Sequence, residues 1–247
     1  MLGKETAAMT TDAARATPGA TTVETVYDAL KADIISGKRK PSEFLRIDRI
    51  SRLYSVGPTP LRETLQRLTA EGMVIAHGGR GFQVAPLSIE EFEDLNTART
   101  AIELAALRLS IQHGKEDWEG RVVAAGYILQ KWDKQIAEGA ANVIDRWEHA
   151  NSEFHAALIS GCPSAWLLRT LDGLRTKCER YRRATMMSAG YPFQKGVARE
   201  HAEMLEAVLA RDVQRSCEVL TAHYMSTVQA FRSVAQKFTA EQDDAAE

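Results

Sequence analysis

The rest of this chain is organised around the stretch Gly57–Gly72, GPTPLRETLQRLTAEG. Leu61, Leu65 and Leu68 recur at i, i+4 and i+7, which is the spacing of one apolar stripe along an α-helix. The residues expected on the opposite side are Thr59, Glu63, Gln66 and Ala70, flanked by Arg62 and Arg67. The pattern therefore predicts a short helix that packs by one side and exposes a polar, cationic side.

Both ends of this helix are also indicated. Thr59 is a suitable N-cap, and Pro60 suits a first helical turn because the N–H group that proline lacks would be unbonded there. Gly72 is typical of the position just after a helix, where a left-handed backbone is common. These signals confine the helix to the quoted stretch.

The flanking segments complete a DNA-binding pattern. Thr22–Ser36 predicts a first helix, and Ile47–Tyr54 predicts a short second helix that is joined to the third through Ser-Val-Gly-Pro. Two short helices with a Gly-containing turn form a helix-turn-helix, whose second helix enters the major groove of DNA. Met73–Ala85 holds two β-rich runs around a Gly-rich turn, which predicts a hairpin wing with Arg80 at its tip.

Charge is distributed unevenly along the chain. The segment from Gly37 to Arg80 holds nine Lys/Arg and four Asp/Glu, a net charge of +5. The rest of the 247 residues holds 22 Lys/Arg and 29 Asp/Glu, a net charge of −7. The predicted helix-turn-helix is therefore the part suited to a polyanion such as double-stranded DNA.

The predicted fold class is mainly α, with four segments along the chain. They are a disordered arm (1–20), a winged helix-turn-helix domain of three helices and a hairpin (21–86), a helical bundle (87–238) and an acidic tail (239–247). Ser88–Glu91 is a capping box that opens the bundle. Helical periodicity and Gly stops then predict a six-helix antiparallel bundle over 88–113, 116–138, 142–160, 164–187, 197–210 and 212–238.

Composition predicts a cytoplasmic protein. No run of residues has the apolar length of a signal peptide core or of a membrane span. Cys162, Cys178 and Cys217 are odd in number and widely spaced, which argues against disulfides and for a reducing compartment. Each cysteine is expected to be a small core residue.

Three histidines of the bundle are candidate metal ligands. His155 follows Asn151 by one helical turn, while His201 and His223 lie in two other predicted helices. Three imidazoles and one carbonyl oxygen could hold a divalent metal in the interior of a bundle and leave a position open. The alternative for each is a hydrogen-bonded core histidine. His149 lies off this helical face and is expected in solvent.

Residues 23–85 resemble the winged helix-turn-helix of the GntR family of bacterial transcription regulators. The match includes the segments YSVGPTPLRETLQRLTAEGMV and GGRGFQV, and it implies DNA contacts by Thr59, Arg62 and Gly81. Gly57, Pro58 and Asp48 depart from the family pattern, so the operator sequence does not follow from the resemblance. The full predicted DNA-binding set is Arg49, Thr59, Arg62, Gln66, Arg67, His77, Arg80 and Gly81.

The bundle resembles the FCD effector domain found in the FadR subfamily of the same family. Asn151 to His155, then Glu200-His201, then Ala222-His223 match its metal-binding pattern, which usually begins with Asp. The resemblance implies a divalent metal, zinc or nickel, held by Asn151, His155, His201 and His223. Because Asn151 is neutral, we expect weaker metal binding or a greater dependence on the carboxylate of the effector.

The effector implied by this resemblance is a small carboxylic acid, and cationic or hydroxyl side chains should bind it. Arg99 matches the family's Arg-x-x-x-Glu pattern and either pairs with Glu103 or points at the ligand. From the run Glu179-Arg-Tyr-Arg-Arg183 we select Tyr181 and Arg183 over Arg182 as inward-facing residues.

The predicted protein is thus a dimeric repressor of a carboxylic-acid catabolic operon. It binds a pseudo-palindromic operator and is released by an organic acid, a dicarboxylate or hydroxy acid, bound at the metal. Four segments also resemble a subgroup of these regulators associated with carbon starvation and with glutarate or 2-hydroxyglutarate catabolism. They are residues 45–48, 54–63, 160–167 and 179–183. The alternatives are a metal-dependent hydrolase, for which only Glu153 offers a base near the helical face, and a purely structural metal. We predict a regulator and no enzymatic activity.

Overall fold

The computed structural model describes residues 22–78, 81–140, 142–188 and 196–244, with the backbone alone at Thr22 and over 236–244. The predicted arm and the wing-tip Arg80 lie outside these residues. The helices and strands of the described residues are α1 (Thr22–Ile35), β1 (Phe44–Leu45), α2 (Ile47–Leu53), α3 (Pro58–Ala70), β2 (Val74–His77), β3 (Gly81–Val84), α4 (Ile89–His113), α5 (Glu116–Ala137), α6 (Ile144–Ile159), α7 (Ala165–Met187), α8 (Gly196–Leu209) and α9 (Val213–Asp244).

Helix α3 docks by the predicted stripe. Leu61, Leu65 and Leu68 are fully buried, each worth roughly 1.5–3 kcal/mol of burial free energy. They pack with one side of α1 and with Ile50 of α2 in a hydrophobic core of their own. The opposite side of α3 is exposed, as predicted.

The ends of α3 differ from prediction at one point. The helix begins at Pro58 with Gly57 as N-cap, so the prediction of Thr59 as N-cap is wrong. The helix therefore begins two residues earlier than predicted, at a proline whose fixed φ is already helical. Gly72 has φ +72°, the left-handed conformation expected just after the helix.

The predicted wing is the β2–β3 hairpin, joined by a strand that the sequence did not indicate. The sheet order is β1-β3-β2, and both pairings are antiparallel. Strand β1 has two residues, too few to show a period of two. Beyond β3, the N–H of Ala85 donates to Met73 O at 3.0 Å, which holds the end of the wing against the segment that leaves α3.

The bundle follows the predicted division into six helices within the described residues. Ser88 Oγ accepts a hydrogen bond from the Glu91 N–H at 2.9 Å, which is half of the predicted capping box. The other half is replaced, because the Glu91 carboxylate accepts from Tyr181 at 2.5 Å. Helix α9 continues to Asp244, so most of the predicted acidic tail is helical.

The bundle core receives buried side chains from all six bundle helices. Trp118, Phe154, Leu107, Leu171 and Met204 are buried there. The three free cysteines are all buried as predicted. Among the described residues, no helix combines the length and the apolar character needed to span a bilayer.

Candidate metal centre and effector cavity

Three helices bring the three predicted histidines together. His155 on α6, His201 on α8 and His223 on α9 are 2%, 2% and 5% exposed. Each offers a ring nitrogen, and these atoms lie within 4.8 Å of one another. The predicted convergence of the imidazoles is confirmed, and the cluster has the compactness that a shared cation requires.

Two of the imidazoles are oriented by carboxylates. His201 Nδ1 lies 2.9 Å from Asp133 Oδ2, and His223 Nδ1 lies 2.8 Å from Glu200 Oε2. Asp133 is itself fixed by the Trp147 indole N–H, which donates to its other oxygen at 2.8 Å. Each carboxylate sets the tautomer and leaves Nε2 of its histidine as the atom for a metal.

Two buried polar atoms at this centre have no hydrogen-bond partner among the described residues. They are Oδ1 of Asn151 and Nε2 of His201. A buried acceptor without a partner costs on the order of 1–3 kcal/mol. Both atoms are electron-pair donors of the kind that bind a divalent cation, so the donor set fits a metal.

The protonation state of the histidines suits the same role. Burial lowers the pKa of His155 well below its usual value, and the neighbouring His223 adds to this effect. Burial also lowers the pKa of His223 to about 4, although its hydrogen bond to Glu200 acts in the opposite direction. Both imidazoles are therefore neutral near pH 7, which is the form that binds metals.

A cavity of about 260 Å³ adjoins the cluster. Its lining combines Asn151 and His155 of the candidate metal centre with three guanidinium groups and several hydroxyl and carboxylate groups. The lining residues are Arg99, Asn151, Ser152, His155, Asp172, Arg175, Thr176, Glu179 and Arg182. A cavity lined both by candidate metal ligands and by arginines suits a small anion.

Arg99 forms the predicted pair with Glu103 and also lines the cavity. It is 3% exposed, its Nε donates to Glu103 at 2.8 Å and its Nη2 donates to Tyr224 at 2.7 Å. Burial would lower the pKa of Arg99, but the Glu103 carboxylate outweighs burial and raises it. Arg99 therefore carries a permanent charge in a fixed position.

The selection of Tyr181 and Arg183 over Arg182 differs from what the structure shows. Arg182 lines the cavity, where it pairs with the buried Glu148 at 2.9 Å. Tyr181 does not line the cavity but stacks on Phe92 with ring centroids 4.3 Å apart. Arg183 turns away to Asp145 and Glu179, because a step of 100° along α7 carries it past the cavity.

The remaining histidines and the predicted base lie elsewhere. His149, His113 and Glu153 are exposed, the first as predicted. Asp133, Glu200 and Arg175 contribute to the site without having been predicted from the sequence. Glu200 could have been found from its position beside His201, whereas Asp133 offered no local signal.

On the predicted DNA-binding domain, the predicted contact residues of the helices occupy two different settings. Thr59, Arg62 and Gln66 are exposed on α3, and Arg49 is exposed on α2. The Arg67 guanidinium lies over the Tyr27 ring at 3.7 Å, so it is directed towards α1.

The described residues of the wing are held within the sheet. His77 Nε2 lies 2.8 Å from Gln83 Oε1, and this contact ties the histidine to the neighbouring strand. Gly81 has φ +102°, a conformation that favours glycine.

Comparisons with known proteins agree with this two-part architecture. Residues 22–84 match the family described as bacterial regulatory proteins, gntR family, and residues 94–226 match the FCD domain. The chain is 37% identical over 210 residues to the HTH-type transcriptional regulator BphR of Paraburkholderia xenovorans (strain LB400), covering 85% of each chain. It is 33% identical to the HTH-type transcriptional repressor GlaR of Escherichia coli (strain K12), covering 82% of this chain and 92% of that one.

A solved structure has the same fold. Escherichia coli McbR/YncC superposes with a TM-score of 0.71 at 17% sequence identity, covering 87% of this chain and 98% of that chain. The relatives are transcription regulators and not enzymes, and regulators of this family bind DNA operators. The chain therefore belongs to the GntR family of DNA-binding bacterial transcription regulators and carries an FCD domain as its C-terminal part.

Proposed function

We propose that this protein is a repressor of a carboxylic-acid catabolic operon and that a small organic acid bound in the bundle releases it from DNA. The observation that carries the proposal is the pair of buried, unpartnered atoms, Asn151 Oδ1 and His201 Nε2, beside an arginine-lined cavity. Repression is supported by the relative GlaR, which is a transcriptional repressor.

The metal would be held by Asn151, His155, His201 and His223. Zinc and nickel both accept imidazole and amide oxygen ligands. Bound there, the metal supplies a positive centre to which a carboxylate oxygen of the effector can bind. Four neutral ligands leave the charge of the cation uncompensated within this set, which favours an anionic effector.

Arginines bind the part of the acid that does not bind the metal. Arg99 and Arg182 are paired with Glu103 and Glu148, so part of their charge is already compensated. Arg175 donates to the backbone carbonyl of Ser152 at 2.7 Å and forms no ion pair within the described part of the chain. Arg175 is therefore the guanidinium best placed to bind a carboxylate of a dicarboxylate or hydroxy acid.

The response to the acid requires that it bind two states of the protein with different affinity. We propose that the chain acts as a homodimer, in which each protomer places α3 in one major groove of a pseudo-palindromic operator. Acid binding then favours an arrangement of the bundles that separates the two recognition helices from their half-sites.

A thermal shift experiment separates this function from a purely structural metal. A panel of dicarboxylates and hydroxy acids is tested with zinc and with a chelator, on the unchanged protein and on Arg175→Gln. One or a few acids should raise Tm in the presence of zinc only, and Arg175→Gln should abolish the rise. Arg169→Gln, at an exposed position of the same helix, is the matched control. Stabilisation by zinc but by none of the acids would contradict the effector role.

A further inference from the structure

Helix α7 presents two functionally different sides. Arg175, Glu179 and Arg182 line the cavity. Arg180 and Lys177 project from the other side, since each residue along a helix turns by about 100°. A Cβ atom placed on Gly72 would lie 3.4 Å from Lys177 Nζ, so this side of α7 packs against the DNA-binding domain.

Arg180 connects α7 to the recognition helix through three hydrogen bonds. Its Nη2 donates to the carbonyl of Ala85 at 2.8 Å. The N–H of Ala85 donates to Met73 O at 3.0 Å, and the N–H of Met73 donates to Leu68 O at 2.9 Å. Leu68 lies in the last turn of α3, so one side chain of the effector domain is tied to the end of the DNA-reading helix.

A purely stabilising role does not explain why Arg180 is buried at this position. It is 6% exposed and forms no ion pair within the described part of the chain. The nearby Glu91 carboxylate is instead bonded to the Tyr181 hydroxyl at 2.5 Å. A buried cation without an ionic partner usually costs stability relative to an apolar side chain of similar size.

We propose that Arg180 is a positioning residue that transmits occupancy of the cavity to the recognition helix through the Ala85 carbonyl. The proposal rests on the proposed function, because it takes an anion in the cavity as the input. An anion held by Arg175 and Arg182 acts on one side of α7, and Arg180 is fixed to the other side of the same rigid helix. A small rotation or shift of α7 therefore moves the Ala85 carbonyl and, through Met73, the end of α3.

The coupling is thermodynamic, and it has a local reporter. The hydrogen bonds of Ala85 and Met73 should change strength or opening frequency when the cavity is filled. Backbone hydrogen exchange of these two amides follows this change without requiring a known operator or a known natural effector.

The test uses the full chain, freed of metal and then supplied with zinc and excess acetate, the smallest carboxylate probe. Sodium chloride at equal ionic strength with zinc serves as the reference. Exchange is measured at Met73 and Ala85, as the output, and over residues 151–155, as the input. The variants are Arg180→Gln and Arg180→Lys, with Arg169→Gln as the control at an exposed position of α7.

In the unchanged protein and in Arg169→Gln, acetate should change exchange at Met73 and Ala85 by about fivefold or more, the lower end of ordinary allosteric coupling. In Arg180→Gln the change over 151–155 should remain, while the change at Met73 and Ala85 should fall below about twofold. Arg180→Lys, which keeps the charge and one donor, should restore part of the output. If Arg180→Gln does not fold, Arg180→Lys alone tests the proposal. In that variant the acetate-dependent change in exchange at Met73 and Ala85 should be smaller than in the unchanged protein.

Two outcomes overturn the coupling proposal. One is a full response at Met73 and Ala85 in Arg180→Gln, and the other is an unchanged protein that responds over 151–155 only. A different outcome, in which acetate alters neither segment in the unchanged protein, removes the proposed acid site and its output together. That failure differs from the first two because exchange over residues 151–155 does not change.

Discussion

Nδ1 of His201 lies 2.9 Å from Oδ2 of Asp133, a residue 68 positions earlier in the chain. Both side chains are 1% exposed. The carboxylate fixes the imidazole from behind and leaves Nε2 without a partner among the described residues. This is the arrangement by which a second residue orients and strengthens a metal-ligating histidine.

Asp133→Asn should therefore weaken zinc binding by roughly 10–100-fold, the usual effect of losing such an orienting carboxylate. The amide has similar size, so the fold should persist. Zinc affinity is measured by competition with a chromophoric chelator. Asp172→Asn, an exposed carboxylate at the edge of the cavity, is the control and should change zinc affinity much less. Equal losses in both variants would remove the specific role of Asp133.

Asn151→Asp should strengthen metal binding. A carboxylate in place of the amide adds a unit charge near the cation, worth a few kcal/mol at an effective dielectric constant of about 20. We expect about a tenfold or greater gain in zinc affinity, together with a smaller dependence of that affinity on added acid. Ser152→Asp adds the same charge at the next position. If both variants bind zinc equally well, Asn151 is not a ligand.

The sequence predicted elements better than the contacts between them. The spacing of Leu61, Leu65 and Leu68 depends on one helix, so the packed side of α3 was predictable. The cavity is lined by Arg182 and not by Tyr181, contrary to the predicted facing, because helical periodicity says which residues share a side and not which side meets the cavity. Asp133 could not be predicted from the sequence for a related reason, since only the packing of α5 against α6 and α8 brings it to His201.

Acid should destabilise the metal-free protein through His223. Its pKa is about 4 in the folded state and about 6.5 when unfolded, so the unfolded chain binds the proton more readily. The stabilisation is fully present above pH 6.5 and is lost as pH falls towards 4, by about 3 kcal/mol in total. The measurement is the free energy of unfolding against pH with a chelator present.

His223→Gln is the reference for that measurement. Carboxylates away from this centre titrate alike in both proteins, so the difference between the two curves reports His223 together with its neighbours Glu200 and His155, whose pKa values it lowers. The variant should lose less stability between pH 6.5 and pH 4 than the unchanged protein. Parallel curves would show that His223 is not held in its neutral form by burial.

Arg62→Ala should weaken binding to operator DNA by about 1–3 kcal/mol, because the side chain is exposed on α3 and has no protein partner among the described residues. Fluorescence anisotropy at fixed salt measures the loss, since DNA affinity depends steeply on ionic strength. Arg146→Ala, an exposed arginine of the bundle, should bind DNA as the unchanged protein does. If Arg62→Ala also binds as well as the unchanged protein, the recognition helix has been assigned wrongly.

An acid bound at the three-histidine centre should control DNA binding. Operator affinity is measured with zinc present, with and without the acid that raises Tm, for the unchanged protein and for His201→Ala. The acid should weaken operator binding by the unchanged protein about fivefold or more and should leave His201→Ala unaffected. The same acid effect on both proteins, or no effect on the unchanged protein, would contradict control of DNA binding by this centre.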